Sequence, residues 1–383
     1  MKILASFNRM AALADKEWIQ VRRDLRSLLI AIFIPSLLVV LFGYALNMDV
    51  KNVSVGIFNQ DKSSFSRRYI ERFSHTEYLA IERDIKNYHE IDRLLDSGRI
   101  AMAMVIPLNF EKDYKAGRPV RVQLLVDGSD STAATIAIGY VKMITYQFNK
   151  ELSINMLQRI GITGIQEPID IRTRIWYNPE LESKNFIVPG VIVLILAVIS
   201  VFLTSLTISR EWERGTMESL ITTPVRKYEV IIGKLIPYIF LGLFDVVLTV
   251  CVGHFLFNVP LKGSFAEFCA LAILFLVGTS LQGMLISAAT RVQVLSIQLA
   301  IWTTFLPSFI LSGFVFPIKN MPLIVQGITY IIPARYLIRI VNSIALKGVG
   351  FAMLWTQILF LLIFVLLMFV LSIRKFSVYL PDK

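Results

Sequence analysis

Apolar residues along this chain are gathered into long runs that charge rarely interrupts. Residues 28–48, 186–209, 292–318 and 351–373 contain no Asp, Glu, Lys or Arg, and a helix of about 20 apolar residues crosses a bilayer. With two further runs bounded by polar turns, the pattern predicts six spans, at 27–46, 186–208, 235–257, 265–290, 294–316 and 351–373. Pro317, Pro322 and Pro333 cut 317–346 into apolar pieces too short to cross. Such pieces read as a pair of re-entrant or interfacial half-helices, because irregular backbone at membrane depth must find its hydrogen bonds within protein.

Ahead of the first span, residues 1–26 carry Leu4, Phe7, Ala11, Ala14, Trp18, Val21 and Leu25 at a 3,4 spacing, one stripe on a helix. Lys2, Arg9, Lys16, Arg22, Arg23 and Arg26 fall mostly off that stripe. An amphipathic helix lying in the cytoplasmic interface is predicted, a packing helix being the plainer alternative. Gly43-Tyr44-Ala45 loosely imitates a cleavage site. The apolar run and the segment before it are both too long for a signal peptide, so 27–47 is expected to be a retained anchor.

Residues 48–185 change period. Short β-rich runs at 53–58, 78–82, 100–106, 120–126 and 171–177 alternate with helical patterns at 63–73, 87–96 and 132–159. That alternation implies a sheet with parallel pairs and one covered face, and about 138 residues suffice for an independent core. The predicted fold class is an α-helical polytopic membrane protein, six transmembrane helices plus re-entrant outer helices, with an inserted α/β extracytoplasmic domain. Residues 186–373 hold spans two to six, with a polar loop at 209–234, and 374–383 form a tail.

Composition agrees: AVILMFWYC make up 55% and DEKR 17%, with mean hydropathy +0.63, against about half apolar and a quarter charged in soluble domains. The net charge of +11 changes meaning once it is located. Residues 48–185 carry 19 Lys+Arg and 18 Asp+Glu, leaving +10 for the rest. Flanks obeying the positive-inside rule explain this better than a nucleic-acid face. The N-terminal segment has six Lys/Arg and 209–234 has five, whereas the hairpin at 258–264 has only Lys262. Both termini are therefore expected in the cytoplasm and the inserted domain outside. Lys319, Arg335, Arg339 and Lys347 run against the rule.

Cys251 and Cys269 are the two cysteines, and His75, His89 and His254 are scattered. A disulfide framework is excluded and no metal-ligand spacing is present. No G-x-x-x-x-G-K-[ST], G-x-S-x-G, H-E-x-x-H or C-x-x-C occurs, so the chain has no phosphate-binding loop with which to hydrolyse ATP. Asp127 and Asp130 sit in Asp-Gly-Ser-Asp, where turn and cap duty explains both better than catalysis. No catalytic residue is assigned.

The polar segment after the second span reads Ser209-Arg210-Glu211-Trp212-Glu213-Arg214-Gly215-Thr216-Met217-Glu218-Ser219-Leu220-Ile221-Thr222-Thr223-Pro224, with Gly233-Lys234 further on. It predicts a charged helix end, a glycine break, a short amphipathic helix and a proline stop. A solvated loop is the plain reading. Trp212, Met217, Leu220 and Ile221 among opposite charges also suit a surface that docks a partner.

This string resembles the cytoplasmic signature of ABC transporter type-2 permeases, with Arg-Glu, Gly-Thr, Glu-x-Leu, Thr-Pro and a later Gly-Lys in order. The segments VGIFNQDKSSFSRR, AMVIPLNFEKDYKAG and LLVDGSDSTAATIAIGY are similar to the large extracytoplasmic domain of a subgroup of bacterial multidrug-type exporters. LSGFVFPIKNMP and ITYIIPARYLI resemble the C-terminal part of that family. The resemblance covers nearly the whole chain. It implies a permease half-transporter that pairs with a second, like or unlike, permease and docks a separate ATPase subunit. ATP and Mg would be held by that partner and no cofactor by this chain. It assigns ATPase coupling to Arg210, Glu211, Glu213, Arg214, Gly215, Thr216, Glu218, Leu220, Thr223 and Pro224, and places the protein in a bacterial inner membrane.

Polar residues inside spans are functional candidates by default. Asp245 is the one carboxylate deep within a predicted span; Gln282, Gln298, Thr303 and Thr304 either line a path or bridge helices. Two other classes fit parts of the pattern: an ion-gradient-driven secondary transporter using Asp245, and a membrane-anchored sensor or scaffold that binds through its outer domain. The outer domain is expected to shape an exit or dock a periplasmic adaptor.

Overall fold

The computed structural model describes residues 2–45, 52–74, 76, 78–159, 176–178 and 182–376. Two compact units emerge: one joins Met1–Met48 to Arg174–Lys383, the other is Asp49–Thr173. In chain order the elements begin with α1 (Lys2–Arg23) and α2 (Leu25–Ala45). The second unit follows as β1 (Val53–Asn59), α3 (Ser64–Ser74), β2 (Leu79–Asp84), α4 (Tyr88–Asp96), β3 (Met102–Ile106), α5 (Phe110–Lys115), β4 (Gln123–Val126) and α6 (Ser131–Arg159). The first unit resumes with α7 (Lys184–Glu213), α8 (Thr216–Ile221), α9 (Lys227–Phe257), α10 (Phe265–Thr290), α11 (Gln293–Leu311), α12 (Leu323–Ile328), α13 (Pro333–Lys347) and α14 (Phe351–Lys375).

Six helices among the described residues are long and apolar enough to cross a membrane: α2, α7, α9, α10, α11 and α14. Segment 323–331 meets α13 at 85°, so the broken 317–346 region does fold as a bent pair. Its two arms part at Ile332, because the residue before a proline is driven out of helical backbone and Pro333 then opens the next helix. The helix α7 is the hub, 83% of its apolar window being buried, against 17% for α2 and α14. Ser200 donates to Thr279 Oγ1 at 2.7 Å, and Ser287 Oγ receives the Ile208 and Ser209 amides at 3.0 and 2.8 Å. Small hydroxyl residues thus let α7 and α10 approach closely. By contrast Phe33, Trp302, Met353 and Trp355 are exposed, as side chains facing lipid or a partner helix are.

Two predicted boundaries shift. The second span's helix runs on to Glu213 and the third begins at Lys227, so most of 209–234 is helical rather than loop. Backbone hydrogen bonding does not end where hydropathy does. The fifth helix stops at Leu311, not 316, and is followed by bends around Gly313.

Among its described residues the mixed unit has one four-stranded sheet in the order β2-β1-β3-β4. The strands β1 and β2, and β1 and β3, pair in parallel; β4 runs antiparallel to β3. Alternation along β1 and β3 sends Val55, Ile57, Met102 and Met104 to one face, packed with Phe65, Tyr69 and Phe148 of α3 and α6. Ala103 and Val105 face the other way, onto Ile91 and Leu94 of α4. Both faces are therefore covered, not one: all of β3 is buried. The helix α5 was not foreseen, being only six residues long with a mixed pattern. The expected strand at 171–177 lies mostly outside the described residues.

Candidate functional site

One end of the helical unit gathers the closing turns of α7, all of α8, the opening turns of α9 and the inner face of α1. Here the polar residues of 209–234 turn inward. Lys234, on α9, is 2% exposed. Its Nζ donates to Glu17 Oε2 at 2.7 Å and to Glu211 Oε1 at 3.2 Å. Tyr238 Oη donates to the other Glu17 oxygen at 2.9 Å, and Lys16 Nζ reaches Glu211 Oε1 at 3.0 Å. Thr216, in the first turn of α8, donates to Glu211 Oε2. Two buried carboxylates and two ammoniums thus balance, and every carboxylate oxygen has a donor, the condition under which buried ions are tolerated.

A second knot lies toward the start of α1. Glu229, fully buried, receives Ser6 Oγ, Arg9 Nε at 2.9 Å, Arg9 Nη2 at 2.6 Å and the Arg226 amide at 2.9 Å. That last bond caps α9, replacing an orphan donor's missing partner. Gly233 permits the approach of α1 and α9: a Cβ there would stand 2.7 Å from Leu13 Cβ and 2.9 Å from the Met10 carbonyl.

The helix α1 was expected to show an apolar stripe. Leu4, Phe7 and Trp18 of the stripe are exposed, while Ser6, Arg9 and Glu17 turn toward the protein together with Leu13 and with Val21, a stripe residue that is buried. That arrangement suits a helix held to its neighbours largely by charge and presenting apolar side chains to a lipid surface.

Gly215 separates α7 from α8 at φ +71°, a left-handed conformation that L side chains rarely adopt. The turn aims α8 so that Met217 and Leu220 sink into a cluster with Ile208, Ile231 and Met284. Of the residues expected on a docking surface, Met217 and Leu220 are buried within the subunit and Trp212 and Ile221 are half-buried. These residues anchor α8 from beneath, and Trp212 lies under the Arg291 guanidinium at 4.6 Å. Sequence pattern could not say which side of so short a helix faces in.

Of the residues assigned to coupling, Glu211 and Leu220 are buried, and Arg210 is half-buried, paired with Asp24 at 3.3 Å. Glu213, Arg214, Gly215, Thr216, Glu218, Thr223 and Pro224 remain exposed. Glu213 also accepts the Gln293 amide at 2.7 Å, tying α7 to α11. Glu17 and Glu229 escaped sequence reasoning altogether. Their signal, a carboxylate on the inner side of an amphipathic helix and another three residues past Arg226, is intelligible only once α1 and α9 are side by side.

The pathway candidates separate. Asp245 is 1% exposed and neither carboxylate oxygen has a hydrogen-bond partner among the described residues. Gln282 bridges α10 to Thr304 of α11 at 3.3 Å. Gln298 and Thr303 are exposed on α11, Thr303 donating to the Leu299 carbonyl of its own helix. A cavity of about 140 Å³ that sequence did not suggest lies between α2, α7 and α11, walled by Leu38, Phe42, Leu194, Phe305, Phe309 and Phe314 among others. In the mixed unit, the Ser129 amide donates to Asp127 at 2.9 Å and holds that carboxyl below its ordinary range, and the Ala133 amide donates to Asp130 at 3.0 Å. Among the described residues no cluster of His, Cys, Asp and Glu has metal-ligand geometry.

Among the described residues, six helices apolar enough to cross, a bent helix pair and an anchored charged turn at one end define a multi-pass membrane protein. The comparison with known families makes that specific. Residues 25–374 match the ABC-2 family transporter protein family, and the chain belongs to it, the type-2 permease class that its sequence resembles. It is 38% identical over 363 residues to "Probable multidrug ABC transporter permease YbhS" of Escherichia coli K12, covering 94% of each chain. It is 28% identical over 352 residues to "Probable multidrug ABC transporter permease YbhR" of the same organism, covering 89% of this chain and 92% of that one. Across 377 residues it is 26% identical to "ABC transporter G family member 20" of Dictyostelium discoideum, covering 97% of this chain but 51% of that longer protein.

Proposed function

We propose that the chain is the permease subunit of a bacterial inner-membrane exporter, moving a small drug-like or lipid-like molecule outward with ATP hydrolysed by a separate cassette subunit. Two permeases pair, both termini lie in the cytoplasm, and the mixed unit lies outside, shaping the exit or receiving a periplasmic adaptor. The observation that carries this reading is α8: its apolar side is anchored in the helical core while Glu213, Arg214, Thr216, Glu218 and Thr223 stay exposed. Closure of the nucleotide-bound partner pushes on that surface. Glu211 and Lys234 pass the displacement to α7, α9 and α1 as one charged unit. Paired subunits then exchange access between the two sides, a rigid-body switch of the kind packed helices undergo. The apolar walls between α2, α7 and α11 suit an uncharged or amphipathic cargo.

The test is reconstitution. The permease, co-purified with an ATPase subunit and placed in vesicles, is expected to give cargo-stimulated ATP hydrolysis and ATP-dependent movement of a hydrophobic dye. Dye movement that follows an imposed proton or sodium gradient and needs no ATPase would favour the secondary-transporter alternative. Ligand binding to the mixed unit without any transport would favour the sensor.

A further inference from the structure

Beside the buried Lys234 knot, but facing outward, is a cleft of about 510 Å³ between α1 and the last turns of α7. Lys16, Arg23, Arg210 and Arg214 line it, against the single carboxylate of Asp24, with Ile19 and Gln20 completing the wall. With Glu211, which holds Lys16, four cations meet two carboxylates, and Arg23 and Arg214 carry the excess in a small concave space. Lys16 and Arg210 are each held by an ion pair, to Glu211 and Asp24, so their positions are fixed. Arg23 and Arg214 have no ion pair among the described residues, and both are exposed. The charge left without a counter-ion among the described residues is that of these two guanidiniums.

We propose that this cleft binds the phosphate headgroup of an anionic membrane lipid. Two guanidiniums, Arg23 and Arg214, converging without an ion pair among the described residues call for an anion, and arginine's planar fork meets phosphate oxygens in pairs. The choice of a lipid over a soluble phosphate rests on what borders the cleft. Trp18 and Ile19 of α1 and Leu25, the first residue of α2, are large, apolar and exposed, and α2 is the first helix apolar enough to cross. A headgroup in the cleft therefore leaves its acyl chains beside exposed apolar side chains at the membrane surface, the arrangement by which basic pockets near helix ends select acidic lipids. Because Arg214 is the C-cap of α7 and adjoins Gly215, an occupied cleft steadies the turn that orients α8. The inference adds a lipid site to the transporter reading and holds for either orientation in the membrane.

The test uses the full chain in nanodiscs, with Trp18 fluorescence quenched by brominated phosphatidylglycerol or brominated phosphatidylcholine, and Trp18→Phe as the blank. Stronger quenching by phosphatidylglycerol is expected in the wild type. Arg23→Gln and Arg214→Gln should each lower that preference about fivefold, the amount one cation contributes near a surface. Arg99→Gln with Arg121→Gln, two exposed cations of the mixed unit, should leave it unchanged. Equal quenching by the two lipids in the wild type would overturn the proposal. So would full competition by millimolar inorganic phosphate, which would mark a soluble-anion site. Loss of ATPase association in the Arg variants, with lipid preference intact, would instead assign the cleft to the protein partner.

Discussion

Lys234 offers the sharpest perturbation, because two lysines share Glu211 in very different surroundings. The Lys234 side chain is 3% exposed and lies 2.7 and 3.2 Å from two carboxylates that are themselves 3% exposed. The Lys16 side chain is 50% exposed at 3.0 Å from Glu211. Lys234→Met removes the charge, keeps the stem's bulk and leaves Glu17 and Glu211 buried together. Breaking a buried pair in this way costs about 3 to 5 kcal/mol. Lys16→Met removes a half-solvated partner and should cost about 1 kcal/mol or less. Unfolding of the full chain by SDS titration in mixed micelles, followed by far-UV circular dichroism, measures both. A third protein, Lys234→Met with Glu17→Gln and Glu211→Gln, should recover most of the loss, since a buried ionic cluster can be replaced by neutral groups at little net change. Equal losses for the two single variants, or a loss below about 1 kcal/mol for Lys234→Met, would refute the assignment of Lys234 as the hub.

Three other outcomes follow from particular contacts. Gly233→Ala brings a Cβ within 2.9 Å of the Met10 carbonyl; overpacking of about 1 to 3 kcal/mol should loosen α1 and speed trypsin cleavage at Arg22 and Arg23, and unchanged cleavage would count against the close approach. Gly215→Pro cannot hold φ +71°, so α8 should be re-aimed and ATPase association lost while membrane insertion persists; normal ATP-driven efflux would sink the coupling role of α8. Asp245→Leu removes a buried carboxyl with no hydrogen-bond partner among the described residues, so stability in the same SDS titration should be unchanged or increased, because no satisfied bond is lost; a loss above about 1 kcal/mol would mean the carboxyl is a helix-packing partner.

The crossing helices were legible in the sequence because a bilayer imposes one coarse requirement: about 20 residues without charge. The Pro317, Pro322 and Pro333 breaks were legible for a similar local reason, since a missing amide and a fixed φ act wherever the ring stands. So was the alternation of strands and helices in the mixed unit, apart from α5, whose six residues leave no period to detect. The Gly215 break before α8 was read correctly, and so was the existence of an amphipathic α1.

What tertiary structure decided was which side of each element meets which neighbour. In water an apolar stripe points to the core, so pattern predicts packing. At a membrane surface lipid and protein both accept apolar side chains, and the rule loses its direction. Leu4, Phe7 and Trp18 could therefore face outward while Arg9 and Glu17 turned in. The same ambiguity hid the inward pointing of Met217 and Leu220. It also hid the partnership of Glu17 with Lys234, whose charges sit 217 positions apart and read separately as solvated polar residues. Only the packing of α1 against α7 and α9 removes the water from both, and in that dry setting the pair becomes the strut of the site.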